Sequence, residues 1–381
     1  MRVLHVAEAF GGGLLQMVVA VAEGSAARGH DALIAYGVRP ETPERPRDVV
    51  DEAVELRALP WTRRTPGAQV RAARALRELV AEWRPDVIHL HSSFAGAVGA
   101  FVCDGSVPTV FSPNAFASAV PEAGPLRRAV YRAAERAICR RVTLVGAVSE
   151  SEAELARELG AARVVRVPNG IPELDPGRLA VRPAHAAPAT GRPLIVATGR
   201  TVPQRRPEST ARILAAARAF ADVAWLGGGG GSRGEAGRRA LEAAGIPLSG
   251  WLPREELLDR LASATAYLHW TAWDGLPLSI LEALALDVVV VASDIPPNRE
   301  ILGPSGVRRT EEEAVELLRR VVTDPAFREE LRAEQRERRG EFSAELMVER
   351  WHRLYEELAG AGARPALTSS ARAAWSPSRT L

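Results

Sequence analysis

Residues 192 to 205, Arg192-Pro193-Leu194-Ile195-Val196-Ala197-Thr198-Gly199-Arg200-Thr201-Val202-Pro203-Gln204-Arg205, leave a Pro/Ala/Gly-rich segment for an apolar strand and end in a glycine-led polar loop. They restart a pattern that has already run once. Strand-like runs near 2–7, 31–36, 54–59, 86–90, 108–111 and 142–147 alternate with Ala/Leu/Arg-rich stretches of helical period. After the restart, 222–226, 266–269 and 288–291 repeat the alternation. Strands separated by helices predict parallel sheets covered on both faces, and two such series predict two α/β domains. The expected boundaries are a first domain over 1–175, a linker over 176–192, a second domain over 193–342, a last helix over 343–360 and a disordered tail over 361–381. The tail is rich in Pro, Ser, Ala and Arg and has too few apolar residues to offset the entropy of ordering.

Composition narrows the function classes. A chain of 381 residues is long enough for two cores, and its charges nearly cancel at +2, so no broad basic field invites nucleic acid. No lysine occurs, which excludes a Schiff-base or P-loop lysine. Cys103 and Cys139 are too few and too far apart for a disulfide framework or a metal knuckle and read as free thiols. Met1-Arg2 leads directly into a strand, and no apolar run approaches the ~18 residues of a membrane span. The expectation is a cytoplasmic protein that touches a membrane, if at all, from its inner face.

The densest chemistry lies in Trp273-Asp274-Gly275-Leu276-Pro277-Leu278-Ser279-Ile280-Leu281-Glu282-Ala283. Two carboxylates, Asp274 and Glu282, flank a Gly-Leu-Pro turn that opens a short apolar helix. The free N–H groups of such a helix start suit a phosphate, and the acids suit hydroxyls on either side of it. A solvated loop acid with a helix-dipole partner is the plainer reading. Arg200 and Arg205 follow the restart strand and supply two guanidiniums suited to a diphosphate. Together these residues read as a nucleotide-sugar site.

Other strand ends are weaker. Phe10-Gly11-Gly12-Gly13-Leu14 offers close backbone approach at a helix start, and Phe111-Ser112-Pro113-Asn114 places Asn114 at a strand end. His89 and His91 are read as facing opposite ways, one buried and His91, with Ser92-Ser93 after it, turned to the cleft. Neither has the companions of a metal site, and none is expected. Asn298-Arg299-Glu300 follows the strand near 288–293 and is read as a further polar cluster on the same sheet edge. Gly229, Gly231 and Gly234 match a dinucleotide fingerprint formally, but on the wrong strand of their unit and inside a glycine run. Arg128, Arg132, Arg136 and Arg140 recur every fourth residue on a helix whose other face carries Val130, Ala133, Ala134, Ala137 and Ile138. A solvated basic face is the simpler reading; contact with anionic headgroups or a lipid-diphosphate acceptor is the alternative.

Taken in order, Gly11-Gly12-Gly13 with Arg28-Gly29-His30, Pro85 to Ser93 with Ala95-Gly96, Val148-Ser149-Glu150, Val167-Pro168-Asn169-Gly170-Ile171, the Arg200/Arg205 loop and Asp274 to Glu282 resemble the retaining glycosyltransferases of family 4, the group 1 enzymes, over about residues 1–360. The resemblance implies the GT-B fold: two Rossmann-like domains with parallel sheets facing across a cleft, the final helix crossing back to the first. It implies that Arg200 and Arg205 hold a donor diphosphate, Asp274 the transferred sugar and Glu282 the ribose. Backbone around Gly12, Gly13, Gly275, Leu278 and Ser279, with Asn114, completes the donor site; His91 and Ser93 lie on the acceptor side. No cofactor or metal is implied. Departures are Asp274 for the usual Glu, Arg205 for Lys, Asn114 for His, and Phe94 for a Lys frequent in the polysaccharide-type subgroup. The acceptor is expected to be a saccharide, a lipid-linked intermediate or a natural product. A nucleotide-sugar 2-epimerase of the same fold is the second reading and a dinucleotide-dependent oxidoreductase the third.

Overall fold

A computed structural model describes residues 1–103, 105–121, 124–171 and 191–362. Most of the expected linker and tail lies outside these residues. Seven parallel strands form the first sheet: β1 (Arg2–Ala7), β2 (Asp31–Gly37), β3 (Val54–Leu59), β4 (Val87–His91), β5 (Thr109–Ser112), β6 (Leu144–Ala147) and β7 (Val164–Arg166), ordered β3-β2-β1-β4-β5-β6-β7. Five more form the second: β8 (Leu194–Thr198), β9 (Asp222–Leu226), β10 (Ala266–His269), β11 (Val289–Ser293) and β12 (Val307–Arg308), ordered β12-β11-β10-β8-β9. The two sheets with their covering helices make the α/β, two-domain architecture. Strands β7 and β12 carry no clear sequence signal, because three and two residues are too short to show a period.

Central strands are buried on both faces and therefore read as unbroken apolar runs, such as Val289-Val290-Val291-Ala292. Trp61, Phe111 and Phe116 fill one side of the first sheet, and Met17, Val18, Trp351 and Tyr355 the other. Residues Trp351 and Tyr355 come from the last helix, Ala344–Gly362, which lies against the first sheet rather than the second. Val348 of that helix packs where Gly24 leaves room: a Cβ at 24 would stand 2.3 Å from its Cγ1. Both chain crossings between the domains run side by side, since Ile171 N–H donates to Phe342 C=O at 3.2 Å and Ala344 N–H to Ile171 C=O at 2.9 Å. Gly170 allows this approach, because a side chain there would strike the Ser343 carbonyl.

Candidate active site

In an open parallel sheet, ligands bind beyond the carboxyl ends of the strands where the strand order reverses. In the second sheet that point lies between β8 and β10. The β8 loop carries Arg200 and Arg205, and the β10 loop carries Asp274, so topology alone brings together groups about seventy residues apart. Arg205 Nη1 donates to Asp274 Oδ2 at 2.8 Å and lies 3.2 Å from His269 Nε2. The other imidazole nitrogen, Nδ1, is 2.8 Å from Tyr267 Oη and 3.3 Å from Ser279 Oγ, and Tyr267 Oη lies 3.0 Å from Thr198 Oγ1.

The charge states follow from burial and neighbours. Loss of hydration lowers the His269 pKa to about 4, although Asp274 pulls the other way, so the imidazole is neutral near pH 7. Burial pushes the Asp274 carboxyl up, but the Arg205 charge and His269 outweigh it and leave the pKa below the usual range. Arg205 and Asp274 are therefore an ion pair beside a neutral histidine. Gly199, at φ +122°, lets the Arg205 stem pass over it; a Cβ would stand 3.3 Å from Nε.

Arg200 is open to solvent on one side and crowded on the other. Desolvation, then Arg205, Arg233 and Arg64, lower its pKa, with Glu41 opposing. Among the described residues it makes no ion pair, which leaves its guanidinium available to an anion. Glu282 accepts from Arg254 Nη1 at 2.7 Å; burial raises its pKa and Arg254 acts against that. Between the two acids, helix Leu278–Ala285 begins at Pro277 with no side-chain cap, so the N–H groups of Leu278 and Ser279 point outward from its start.

The first domain closes over this surface. Gly13 faces Leu278, where a Cβ would lie 3.1 Å from Cδ1, and Gly12 turns the chain at φ +59°. Gly275 has no space for a side chain: its Cβ would sit 2.9 Å from Ala115 N and 3.0 Å from Asn114 C. Asn114 thus meets the Asp274-Gly275 turn through its backbone, while its Nδ2 donates to Ser112 C=O at 3.2 Å. Arg200, Arg205, Asp274, Gly275, Leu278, Ser279, Glu282, Gly12, Gly13 and Asn114 therefore gather at one junction between the domains.

His91 and Ser93 do not open onto it. His89 and His91 are two residues apart on a strand, so they share a face rather than facing opposite ways. Both are fully buried, with His5, beneath the last helix. Ser93 Oγ donates to Glu135 Oε1 at 2.6 Å. The three histidines each bring a nitrogen within 4.8 Å of the others. His5 Nδ1 and His91 Nε2 are 3.1 Å apart with ring centroids at 5.4 Å and planes within 20°, so the lone-pair directions run head-on into one another. That geometry makes an N–H···N bond. His89 spends both nitrogens on Tyr355 Oη, at 2.6 Å, and Ser112 Oγ, at 2.9 Å.

Three further stretches of the sequence take definite places. Asn298 is buried and donates to Ser293 C=O, Arg299 pairs with Asp294, and Glu300 accepts from Arg166 and from Glu150 N–H; this cluster follows β11 on the expected sheet edge and ties the domains together. The glycine run lies beyond β9, an edge strand, with Thr201 Oγ1 donating to Gly229 and Gly234 carbonyls, so its spacing serves a folded-in loop. On helix Pro125–Cys139 the arginine row is exposed, as a solvated basic face requires, and so is Val130, 59% accessible, with Leu126 at 80%; the buried positions are Glu135, Ile138 and Cys139. Of the arginine row, Arg132 pairs with Glu158. No helix among the described residues is long and apolar enough to cross a membrane.

Sequence reasoning missed Tyr267, His269 and Arg254. His269 was the legible one, a histidine ending a strand that leads into the Asp274 loop. Arg254 carries no local signal, because only folding brings it to Glu282.

Two family models match the chain: a glycosyl transferase 4-like domain over residues 12–170 and glycosyl transferases group 1 over residues 226–338. Among solved structures, sucrose-phosphate synthase from Thermosynechococcus elongatus superposes with a TM-score of 0.81 at 18% identity, covering 95% of this chain and 100% of that one. Anabaena Alr3699/HepE in complex with UDP and glucose gives 0.77 at 14% identity, covering 94% and 100%. WaaG, a glycosyltransferase involved in lipopolysaccharide biosynthesis, gives 0.72 at 14%, covering 93% and 99%. At these identities the superpositions establish the shared GT-B fold.

Proposed function

The chain belongs to the group 1 glycosyltransferases, and we propose that it moves a sugar from a nucleoside-diphosphate donor, UDP or GDP, to an acceptor hydroxyl with retention of anomeric configuration. One observation carries the reading. Arg200, unpaired among the described residues, stands beside the Arg205–Asp274 pair and the uncapped start of helix Leu278–Ala285, at the switch point of the second sheet. A diphosphate there meets two guanidiniums and free amides, which bind it and offset the negative charge that grows as it leaves. Glu282, held by Arg254, accepts from the ribose hydroxyls, and Asp274 from the hydroxyls of the transferred sugar. The presence of UDP and glucose in the HepE structure supports the choice of donor class.

No enzymic nucleophile stands out in the sequence, so the acceptor attacks from the face the diphosphate leaves, through an oxocarbenium-like state, with a phosphate oxygen taking the acceptor proton. No cofactor or metal enters this scheme. The acceptor is a saccharide, a lipid-linked intermediate or a natural product. Exposed Leu126 and Val130 beside Arg127 and Arg128 favour one carried on an anionic membrane, and co-sedimentation with phosphatidylglycerol vesicles tests that contact. For the donor, a melting screen against UDP, GDP, TDP and ADP sugars should raise the midpoint with one nucleotide, because ligand bound only to the folded state adds stability. A flat response to all four sinks the proposal.

A further inference from the structure

The segment leaving β5 is held in a way that the donor site alone does not explain. Asn114 and Ala115 are consecutive non-glycine residues with φ +51° and +85°. A left-handed backbone crowds the Cβ of any residue but glycine, most of all at Ala115, which has no polar side chain to compensate. Two carboxylates oppose that strain. Glu152 Oε1 accepts from Ala115 N–H at 2.7 Å, while its Oε2 accepts from Val148 N–H at 2.7 Å. Glu135 Oε1 accepts from Ala117 N–H at 2.6 Å and Oε2 from Ser118 N–H at 3.2 Å. Between these anchors Phe116 is buried edge-on to Phe111.

Glu135 and Glu152 are only 2% and 5% exposed, and neither pairs with an arginine among the described residues. Removing a carboxylate from water without a cation is strongly unfavourable, so two such groups at one short segment are hard to explain as packing. Charge-assisted bonds to backbone amides are short and directional, which suits holding a strained turn in one place. The turn they hold abuts the Asp274-Gly275 turn so closely that residue 275 has no room for a Cβ.

We infer that Glu152 and Glu135 are positioning residues that sling the Ala115-to-Ser118 segment and thereby seat the preceding Asn114 against the Asp274 turn, setting the first-domain wall of the sugar pocket. This rests on the donor reading above. A pH dependence follows from the same geometry. Burial raises Glu152 to about 7, with its amide bonds opposing and the charges of Glu135 and Glu300 adding. Cys139 also lies near and, with burial pushing its thiol to about 12, stays neutral; Glu300 is itself bonded to Arg166. A proton on either Glu152 oxygen displaces one amide donor, so the sling loosens as pH falls through about 7.

The test compares Glu152→Gln, Glu135→Gln and Asn114→Ala with the native chain. Readouts are deuterium exchange of the peptide spanning 113–118, affinity for the diphosphate chosen by the melting screen, and turnover of the corresponding nucleotide sugar. Both Gln variants should exchange that peptide about tenfold faster, bind the diphosphate within about twofold of native, and turn over at least tenfold more slowly; Asn114→Ala should lose turnover without faster exchange. Glu152→Gln should also lose the acid limb near pH 7. Unchanged exchange, or normal turnover with the peptide loosened, overturns the inference. Diphosphate binding lost in step with turnover assigns the carboxylates a merely structural part. A native chain that binds neither UDP nor GDP overturns the donor reading, and this role with it.

Discussion

Each domain buries a polar cluster at the carboxyl ends of its strands, and the two clusters differ in kind. In the second domain Arg205, Asp274 and His269 mix charge with a neutral ring and stand beside Arg200, which no acid neutralises among the described residues. In the first, His5, His89 and His91 are sealed beneath Trp351 and Tyr355, all three held neutral by burial. One cluster keeps electrostatic demand open towards a ligand. The other holds no charge: His89 spends both nitrogens, on Tyr355 and Ser112, and fastens the last helix to the first sheet, while His5 Nε2 and His91 Nδ1 stay buried without a partner among the described residues. Burial of polar residues at a strand end thus marks a site only when charge is left over.

The largest test of that contrast is Arg200→Ala. Removing a donor aimed at developing negative charge should cut turnover by about a hundredfold or more, while the melting temperature stays within about 2 °C of native. Near-normal transfer would remove the distinction between the clusters. Next is Tyr355→Phe, which leaves His89 Nδ1 buried and without its partner. It should cost about 1–3 kcal/mol in urea unfolding, with turnover per folded molecule unchanged. A matching loss of turnover would place the histidines in the catalytic machinery after all.

Acid unfolding sharpens the same comparison in smaller steps. The folded pKa of His5 is lowered from 6.5 to about 3, and those of His89 and His91 are lowered well below 6.5. A base whose pKa is depressed in the folded state confers its full stability above the unfolded pKa. Below pH 6.5 the unfolded chain takes up protons that the folded chain refuses, so stability should fall from there towards pH 3, by on the order of 1 kcal/mol per unit for each histidine. Urea midpoints measured from pH 7.5 to 5 check the slope; a flat line would mean that the cluster is not sealed.

How much was readable in advance depended on how local the cause was. Among the described residues ten of twelve strands announce themselves, the central ones because a doubly covered strand must be apolar throughout and edge strand β3 by alternation, and the exceptions, β7 and β12, are the shortest. Arg200, Arg205, Asp274 and Glu282 are legible because each follows a strand or opens a helix. The His89/His91 reading failed on the two-residue period of a strand. On helix Pro125–Cys139 apolar spacing shows that a face exists but not whether anything covers it; Leu126 and Val130 are exposed. Arg254 and the paired carboxylates Glu135 and Glu152 were invisible, since their partners lie 28, 18 and 37 residues away.

Sequence by itself determined that this chain builds two parallel-sheet domains and that the second carries arginines and acids at its strand ends, because backbone periodicity and strand-end position are local properties. Only tertiary structure decided which of those groups face one another across the junction, which histidines are sealed away, and that Asn114 is held in strain against Gly275. Those outcomes depend on strand order and on contacts between domains, where burial and charge act through space rather than along the chain.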